Sequence, residues 1–247
     1  LFIHDTGRWL RFENGTGWVI AEPSAEDSCA KEVVAQLAQL AAKAYAADPQ
    51  STLAKKLIAR VERVSRAVNL RAMIDMAKSE PNMGVRLSAF DSDHWKMGVQ
   101  NGVLDLKTGA LLSSTPDLMV LKRSCVTYDS AAGCPRFEQY LQEVVPDEDC
   151  QAFLQRWCGY LLTGEVTEQK LLFLYGSGLN GKSVFIELMS WITGDYSRKI
   201  QTEMLMRQQR NSQGPSPDIV GLQGRRLIHC NETTEGRRLD EARIKEL

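Results

Sequence analysis

Apolar residues are spaced in two ways along the front of the chain, first as short stretches and then at helical intervals. In the first twenty residues two apolar stretches flank Asn14-Gly15, which suits the positive φ angles of a tight turn, so a β-hairpin is predicted there. Apolar positions then recur at three- and four-residue steps from Val33 to Ala44 and from Leu53 to Val68, which predicts two amphipathic helices. Basic residues lie off the second stripe, and we interpret them as a solvated helix face: Lys55, Lys56, Arg60 and Arg63.

The middle of the chain changes from helical spacing to strand-like spacing. A short helix is predicted over Leu70–Lys78, ending before Pro81. From Val85 the pattern is typical of β structure, and residues 99–109 predict a small meander with Asn-Gly and Thr-Gly pairs at its corners.

Helical spacing returns in the rear half, from Phe137 to Val144 and from Phe153 to Leu162. The stretch Gly133-Cys134-Pro135 is the predicted hinge between the two halves. We therefore expect an α+β domain over residues 1–133 and a second domain over residues 134–247.

A continuous apolar run, Leu171–Tyr175, is typical of a parallel strand that is buried on both faces. It leads into Gly176-Ser177-Gly178-Leu179-Asn180-Gly181-Lys182-Ser183, which matches the phosphate-loop pattern G-x-x-x-x-G-K-[ST] in full. Helical spacing follows from Val184 to Ile192, with Gly194 as the predicted stop. Strand, loop and helix in this order predict an α/β P-loop fold.

The chemistry of such a loop explains its residue types. Glycines let the backbone wrap a phosphate, and the helix that follows adds unpaired N–H groups and the positive end of its dipole. Lys182 is placed to reach the β- and γ-phosphates of ATP, and the Ser183 hydroxyl is placed to bind Mg²⁺. The predicted ATP-binding residues are Gly176, Ser177, Gly178, Leu179, Asn180, Gly181, Lys182 and Ser183.

Hydrolysis needs an acidic residue at the end of a neighbouring strand. Residues 226–230 form a short apolar-rich run that is followed by Asn231-Glu232, and Glu232 is the predicted catalytic acid that polarises the attacking water. The alternative is a solvated glutamate in a loop, and Glu235 and Asp240 are weaker candidates. Arginine pairs lie at the two ends of this segment, at residues 225–226 and 237–238, and we interpret them as solvated surface residues. The alternative is that they face DNA or the phosphates of a neighbouring subunit.

Composition excludes several classes of protein. The 247 residues are 43% hydrophobic and 25% charged, and 30 basic residues against 31 acidic ones give a net charge of −1. These values exclude a collagen-like, disordered or coiled-coil chain, and any polyanion site must be a local patch. No apolar run approaches the length of a membrane span, and the first residues lack the features of a signal peptide.

The six cysteines form no C-x-x-C pair, and the three histidines are scattered, so no zinc site is predicted. We expect reduced, mostly buried thiols in a cytoplasmic protein. The chain does not start with Met, which fits a segment of a longer protein.

The combination of these motifs resembles a known family. Gly159-Tyr160-Leu161-Leu162-Thr163-Gly164, then Glu168-Gln169-Lys170 and the phosphate loop with Asn180 resemble the superfamily 3 helicase core of phage and plasmid primase–helicases. Trp95, the segment 101–109 and Cys134-Pro135 resemble the accessory domain that precedes this core. The resemblance covers roughly residues 30 to 247 and is most specific over residues 171–183.

The resemblance implies an AAA+-type parallel sheet, incomplete at its C-terminus, behind the smaller accessory domain. It implies a bacterial or phage-encoded ATPase of DNA replication that uses ATP and Mg²⁺, assembles as a hexameric ring and moves along single-stranded or forked DNA. Glu232 would be the catalytic acid, with Lys182 as the catalytic lysine.

Two departures from the family pattern are visible. Many relatives carry two adjacent acids where this chain has Asn231-Glu232, so Asn231 lacks the carboxylate that would help to hold Mg²⁺. The DNA-contacting hairpin, sensor strand and arginine finger of the family do not occur before Leu247, so this segment is expected to hydrolyse ATP weakly. The alternatives are another P-loop ATPase, such as a helicase loader or a kinase, and a non-enzymatic module that binds DNA or a partner.

Overall fold

A computed structural model describes residues 1–206, 221–230 and 240. The chain forms two compact units. One unit contains residues 1–13 and 18–90, and the other contains residues 14–17 and the chain from Asp91 onward. The predicted domain boundary between residues 133 and 134 stays a prediction.

The first unit contains a small mixed sheet. Its strands are β1 (Phe2–Ile3), β2 (Arg8–Glu13), β3 (Gly17–Ile20) and β4 (Gly84–Val85), in the order β3-β2-β1-β4. The predicted hairpin is confirmed as β2 and β3, since these adjacent strands flank Asn14-Gly15. β1 runs antiparallel to β2 and parallel to β4. The two-residue strands β1 and β4 carry too few residues for a periodic pattern, and they were missed.

Three helices complete the first unit: α1 (Ala25–Ala47), α2 (Thr52–Val64) and α3 (Ala67–Ala77). The Ser51 side chain accepts a hydrogen bond of 3.0 Å from the Ala54 N–H and so caps α2. The prediction that this helix continues to Val68 is wrong, because the backbone turns to an extended conformation at Arg66 before α3 begins. The four basic residues of α2 are exposed, as predicted.

The second unit begins with a three-stranded antiparallel sheet. β5 (Lys96–Val99), β6 (Gly102–Asp105) and β7 (Leu111–Leu112) confirm the predicted meander. Lys96 and Asp105 face each other across β5 and β6, and their side chains form an ion pair.

The rest of the second unit, as far as the structure describes it, contains three α-helices and a short parallel pair of strands. The helices are α4 (Pro135–Val144), α5 (Glu148–Thr163) and α6 (Lys182–Thr193), and all three confirm predicted helices. β8 (Ser197–Lys199) pairs in parallel with β9 (Leu227–His229), which lies in the run predicted as a strand before Asn231. Phe185, Met189 and Leu227 form the buried core between α6 and β9.

The run Leu171–Tyr175 differs from the strand that was predicted for the P-loop sheet. No strand of the described residues pairs with it, and the prediction that it is buried on both faces is wrong. Leu172 and Leu174 are half-buried, whereas Phe173 is 60% exposed and Tyr175 is 90% exposed. The physical reason is that extended backbone sends alternate side chains to opposite sides, and packed residues cover only one of those sides. Of the predicted P-loop sheet, the described residues therefore contain one parallel pair of strands, β8 and β9.

A half-buried arginine holds the start of β9. The Arg226 guanidinium stacks over the Tyr196 ring, 4.4 Å from its centroid, and donates to the backbone carbonyls of Lys96 and Leu162. The interpretation of Arg226 as a solvated surface residue is therefore wrong, because its guanidinium N–H groups donate to backbone carbonyls of β5 and α5.

Two further predictions can be compared with the described residues. All six cysteines are free, but four of them are exposed, so the prediction of mostly buried thiols is wrong. Among the described helices, none is long and apolar enough to cross a membrane.

Candidate phosphate-binding site

The predicted phosphate loop forms a turn that leads directly into α6. Gly181 precedes the helix at φ +83°, in the left-handed region, and Lys182 is the first helical residue. Gly176 opens the loop at φ +150°, and a Cβ built there would meet the amide nitrogen of the Asn180 side chain. Both glycines have φ angles that residues with a side chain rarely adopt.

The Lys182 side chain folds back over this loop. Its Nζ atom donates to the Asn180 Oδ1 at 2.5 Å, to the Gly176 carbonyl at 3.1 Å and to the Ser177 carbonyl at 3.2 Å. The loop thus brings an ammonium group and the N-terminus of a helix together.

The remaining loop residues are open to solvent. Ser177, Gly178 and Leu179 are exposed, and Leu179 adopts φ +61° at the tip of the turn. Ser183 lies in the first turn of α6 and is also exposed, so its hydroxyl is accessible to a metal ion.

Tyr140 contacts the loop from α4, and sequence analysis did not identify it. Its hydroxyl donates to the Gly181 carbonyl at 2.8 Å. The only signal in the sequence was the apolar stripe of α4, which predicts that Tyr140 is buried but not what its hydroxyl binds.

The predicted catalytic acid, Glu232, and its neighbour Asn231 lie outside the described residues. The described part of this segment ends at Cys230, directly after β9. Burial, and then the charge of Lys199, lower the pKa of His229 at the end of this strand. Among the described residues, no group of three or more His, Cys, Asp or Glu side chains could hold a metal ion.

This arrangement fits a phosphate group. An anion beside the loop would meet the positive end of the α6 dipole and N–H groups that have no acceptor within the helix. The Lys182 ammonium lies over the same loop, where it donates to two backbone carbonyls and to the Asn180 side chain. These features make the loop a candidate site for a phosphate group.

Comparison with known proteins identifies the family of the chain. Residues 1–146 match the family described as D5 N terminal like. A protein of Acanthamoeba polyphaga mimivirus, named a putative helicase, is 26% identical over 159 residues, which cover 62% of this chain and 16% of that protein. Proteins of two African swine fever virus isolates, from Malawi and Namibia, are each named a putative primase and are 22% identical over 168 residues, which cover 65% of this chain and 18% of theirs.

The chain spans less than a fifth of the length of these viral relatives. The match to the family itself covers more than half of the chain, from its first residue to the end of α4. The chain belongs to the D5 N terminal like family.

Proposed function

We propose that this chain is the ATP-binding part of a replicative DNA helicase of a virus, phage, plasmid or integrated element. The observation that carries the proposal is the loop of residues 176–183, in which Lys182 lies over the turn at the N-terminus of α6. The names of the viral relatives support a role in DNA replication. Single-stranded or forked DNA is the proposed partner, and a superfamily 3 ring, a hexamer, is the proposed assembly.

Different groups of the loop have different roles in ATP binding. Backbone N–H groups around Gly181 hold the phosphates, and Lys182 neutralises charge between the β- and γ-phosphates. The Ser183 hydroxyl holds Mg²⁺, which supplies positive charge that stabilises the phosphoryl group during transfer. Glu232 is the proposed base that accepts a proton from the attacking water.

The test compares MgATP binding by the wild-type chain and Lys182→Ala in isothermal titration calorimetry. We expect at least a tenfold loss of affinity in Lys182→Ala, because the point charge over the phosphates is removed. Lys170→Ala is the matched control, since it removes the same charge from an exposed position before the loop and should bind like the wild type. Equal affinity of wild type and Lys182→Ala would rule out this site.

A second measurement concerns hydrolysis and DNA. Glu232→Gln should bind MgATP but lose turnover, because the amide keeps the size of the side chain and lacks the basic oxygen. ATPase rates measured with and without single-stranded DNA test the proposed partner. Wild-type turnover in Glu232→Gln would place the base elsewhere, and absence of any DNA effect on an active ATPase would argue for another class of P-loop ATPase.

A further inference from the structure

Tyr140 of α4 is bonded to the backbone of the phosphate loop. Its hydroxyl donates to the Gly181 carbonyl at 2.8 Å, and the same carbonyl accepts the Phe185 N–H at 3.1 Å in the first turn of α6. The carbonyl oxygen therefore has one partner inside the helix and one outside it. The outside partner comes from a part of the chain about forty residues earlier.

The side chains of α4 lie close against the loop backbone at Gly181. A Cβ built at Gly181 would lie 2.9 Å from the Val144 Cγ1 and 3.0 Å from the Tyr140 hydroxyl oxygen. Both distances are shorter than ordinary van der Waals contact, so a larger residue here would have to displace these two side chains. Glycine therefore suits this position in two ways, by its φ of +83° and by the room that it leaves for α4.

A single peptide unit connects Tyr140 with the site. The Gly181 carbonyl and the Lys182 N–H belong to the same planar peptide, so a hydrogen bond that holds the oxygen also sets the direction of the N–H. The Lys182 N–H lies at the N-terminus of α6, where helical N–H groups lack an acceptor within the helix and are available to an anion.

We infer that Tyr140 is a positioning residue of the phosphate loop, which acts on bound phosphate through the Gly181–Lys182 peptide. This inference rests on the proposed function. Tyr140 touches no phosphate itself; its hydroxyl keeps one backbone donor aimed at the place where the phosphate binds.

The Tyr140 hydroxyl can be removed without a change in the packing of its ring. The centroids of the Tyr140 and Phe137 rings lie 5.9 Å apart, and the Tyr140 ring packs against the core around Phe185. A phenylalanine would keep both contacts. Burial raises the pKa of Tyr140, so the group stays protonated and able to donate throughout the neutral range. Tyr140→Phe therefore removes the donor and leaves the packing in place.

The experiment uses Tyr160→Phe as the matched control. The Tyr160 hydroxyl on α5 also bonds to backbone, accepting the Glu168 N–H at 3.1 Å, but it has no contact with the loop among the described hydrogen bonds. MgATP affinity is measured by calorimetry and thermal stability by scanning calorimetry for the wild type, both phenylalanine variants and Lys182→Ala. We expect Tyr140→Phe to bind MgATP about three- to tenfold more weakly, with a melting temperature no lower than that of Tyr160→Phe, which should keep wild-type affinity.

Gly181→Ala is a second probe of the same contact. Its methyl group would push α4 and the loop apart, so we expect a greater loss of MgATP affinity than in Tyr140→Phe. If wild type binds MgATP and Lys182→Ala does not, but Tyr140→Phe binds like Tyr160→Phe, the inference is wrong and the proposed function stands. If Lys182→Ala binds MgATP like the wild type, both the inference about Tyr140 and the proposed function are wrong.

Discussion

Two short apolar runs in the second unit resemble each other in sequence but differ in structure. Residues 226–230 and Leu171–Tyr175 both precede a predicted catalytic element, and both were predicted to be parallel strands. The first contains β9, which pairs with β8 in the register Ser197↔Leu227. The second is paired with no strand of the described residues.

The difference lies in what holds the backbone from outside the run. Before β9, the Arg226 N–H donates to the Tyr196 carbonyl at 2.7 Å, and its guanidinium binds two further carbonyls. After β9, the His229 carbonyl accepts the Ile200 N–H at 2.9 Å. In the other run, Leu174 packs against the core around Phe185, which covers one side of the run and supplies no ladder of hydrogen bonds. An apolar run therefore becomes a strand only where a partner backbone lies beside it.

The largest effect should come from the arginine that anchors β9. Arg226→Ala leaves the Lys96 and Leu162 carbonyls without their donor and empties the space over Tyr196, so we expect a loss of about 2–4 kcal/mol in the free energy of unfolding. Urea denaturation measures this loss. Arg225→Ala is the control, because the Arg225 guanidinium donates to the Asp195 carbonyl where it is exposed and makes only a long hydrogen bond of 3.5 Å to the Gly221 carbonyl, so its removal should cost much less.

Equal losses in the two arginine variants would mean that Arg226 does not anchor the strand. Arg226→Lys should recover little stability, since one ammonium group cannot stack on Tyr196 and reach both carbonyls. That variant separates the geometry of the guanidinium from its charge.

A smaller effect should distinguish the two sides of Leu171–Tyr175. Leu174→Ala removes a side chain that packs against the Phe185 core, and we expect a loss of about 1–2 kcal/mol. Phe173→Ala removes a larger side chain that is 60% exposed, and we expect a loss below about 1 kcal/mol. If Phe173→Ala is the more destabilising variant, the run is covered on both sides, as the sequence predicted.

The smallest effect concerns the ion pair between Lys96 and Asp105, which joins β5 and β6. The hydrogen bond from Lys96, and then those from the Thr108 and Lys107 N–H groups, lower the pKa of Asp105 from 3.8 to about 2. A pKa that is lower in the folded state stabilises that state above the unfolded pKa, and the contribution is lost as the pH falls towards 2. We therefore expect the stability difference between wild type and Asp105→Asn to be full at pH 5 and to shrink between pH 4 and pH 2.

Chemical denaturation at several pH values measures this difference. A difference for Asp105→Asn that stays constant from pH 5 to pH 2 would contradict the assignment of the low pKa to Asp105.

Local pattern was sufficient for most of the helices and for the hairpin turn, although it did not show the break between α2 and α3. The stripes from Val33 to Ala44 and from Phe137 to Val144 predicted α1 and α4, because a helix makes its hydrogen bonds within its own segment. Asn14-Gly15 predicted the hairpin turn because the backbone angles of a tight turn depend on nearest neighbours, and Gly15 adopts a positive φ in the structure.

The sequence by itself predicted α1, α4, α5 and α6, the hairpin, the meander and the residues of the candidate loop. Only the tertiary structure decided that Leu171–Tyr175 has one covered side, that the Arg226 guanidinium binds distant carbonyls and that Tyr140 binds the loop. Each of these depends on a hydrogen-bond or packing partner that lies tens of residues away along the chain. Periodicity reports which side of an element is apolar, but the identity of a distant partner is a property of the folded chain alone.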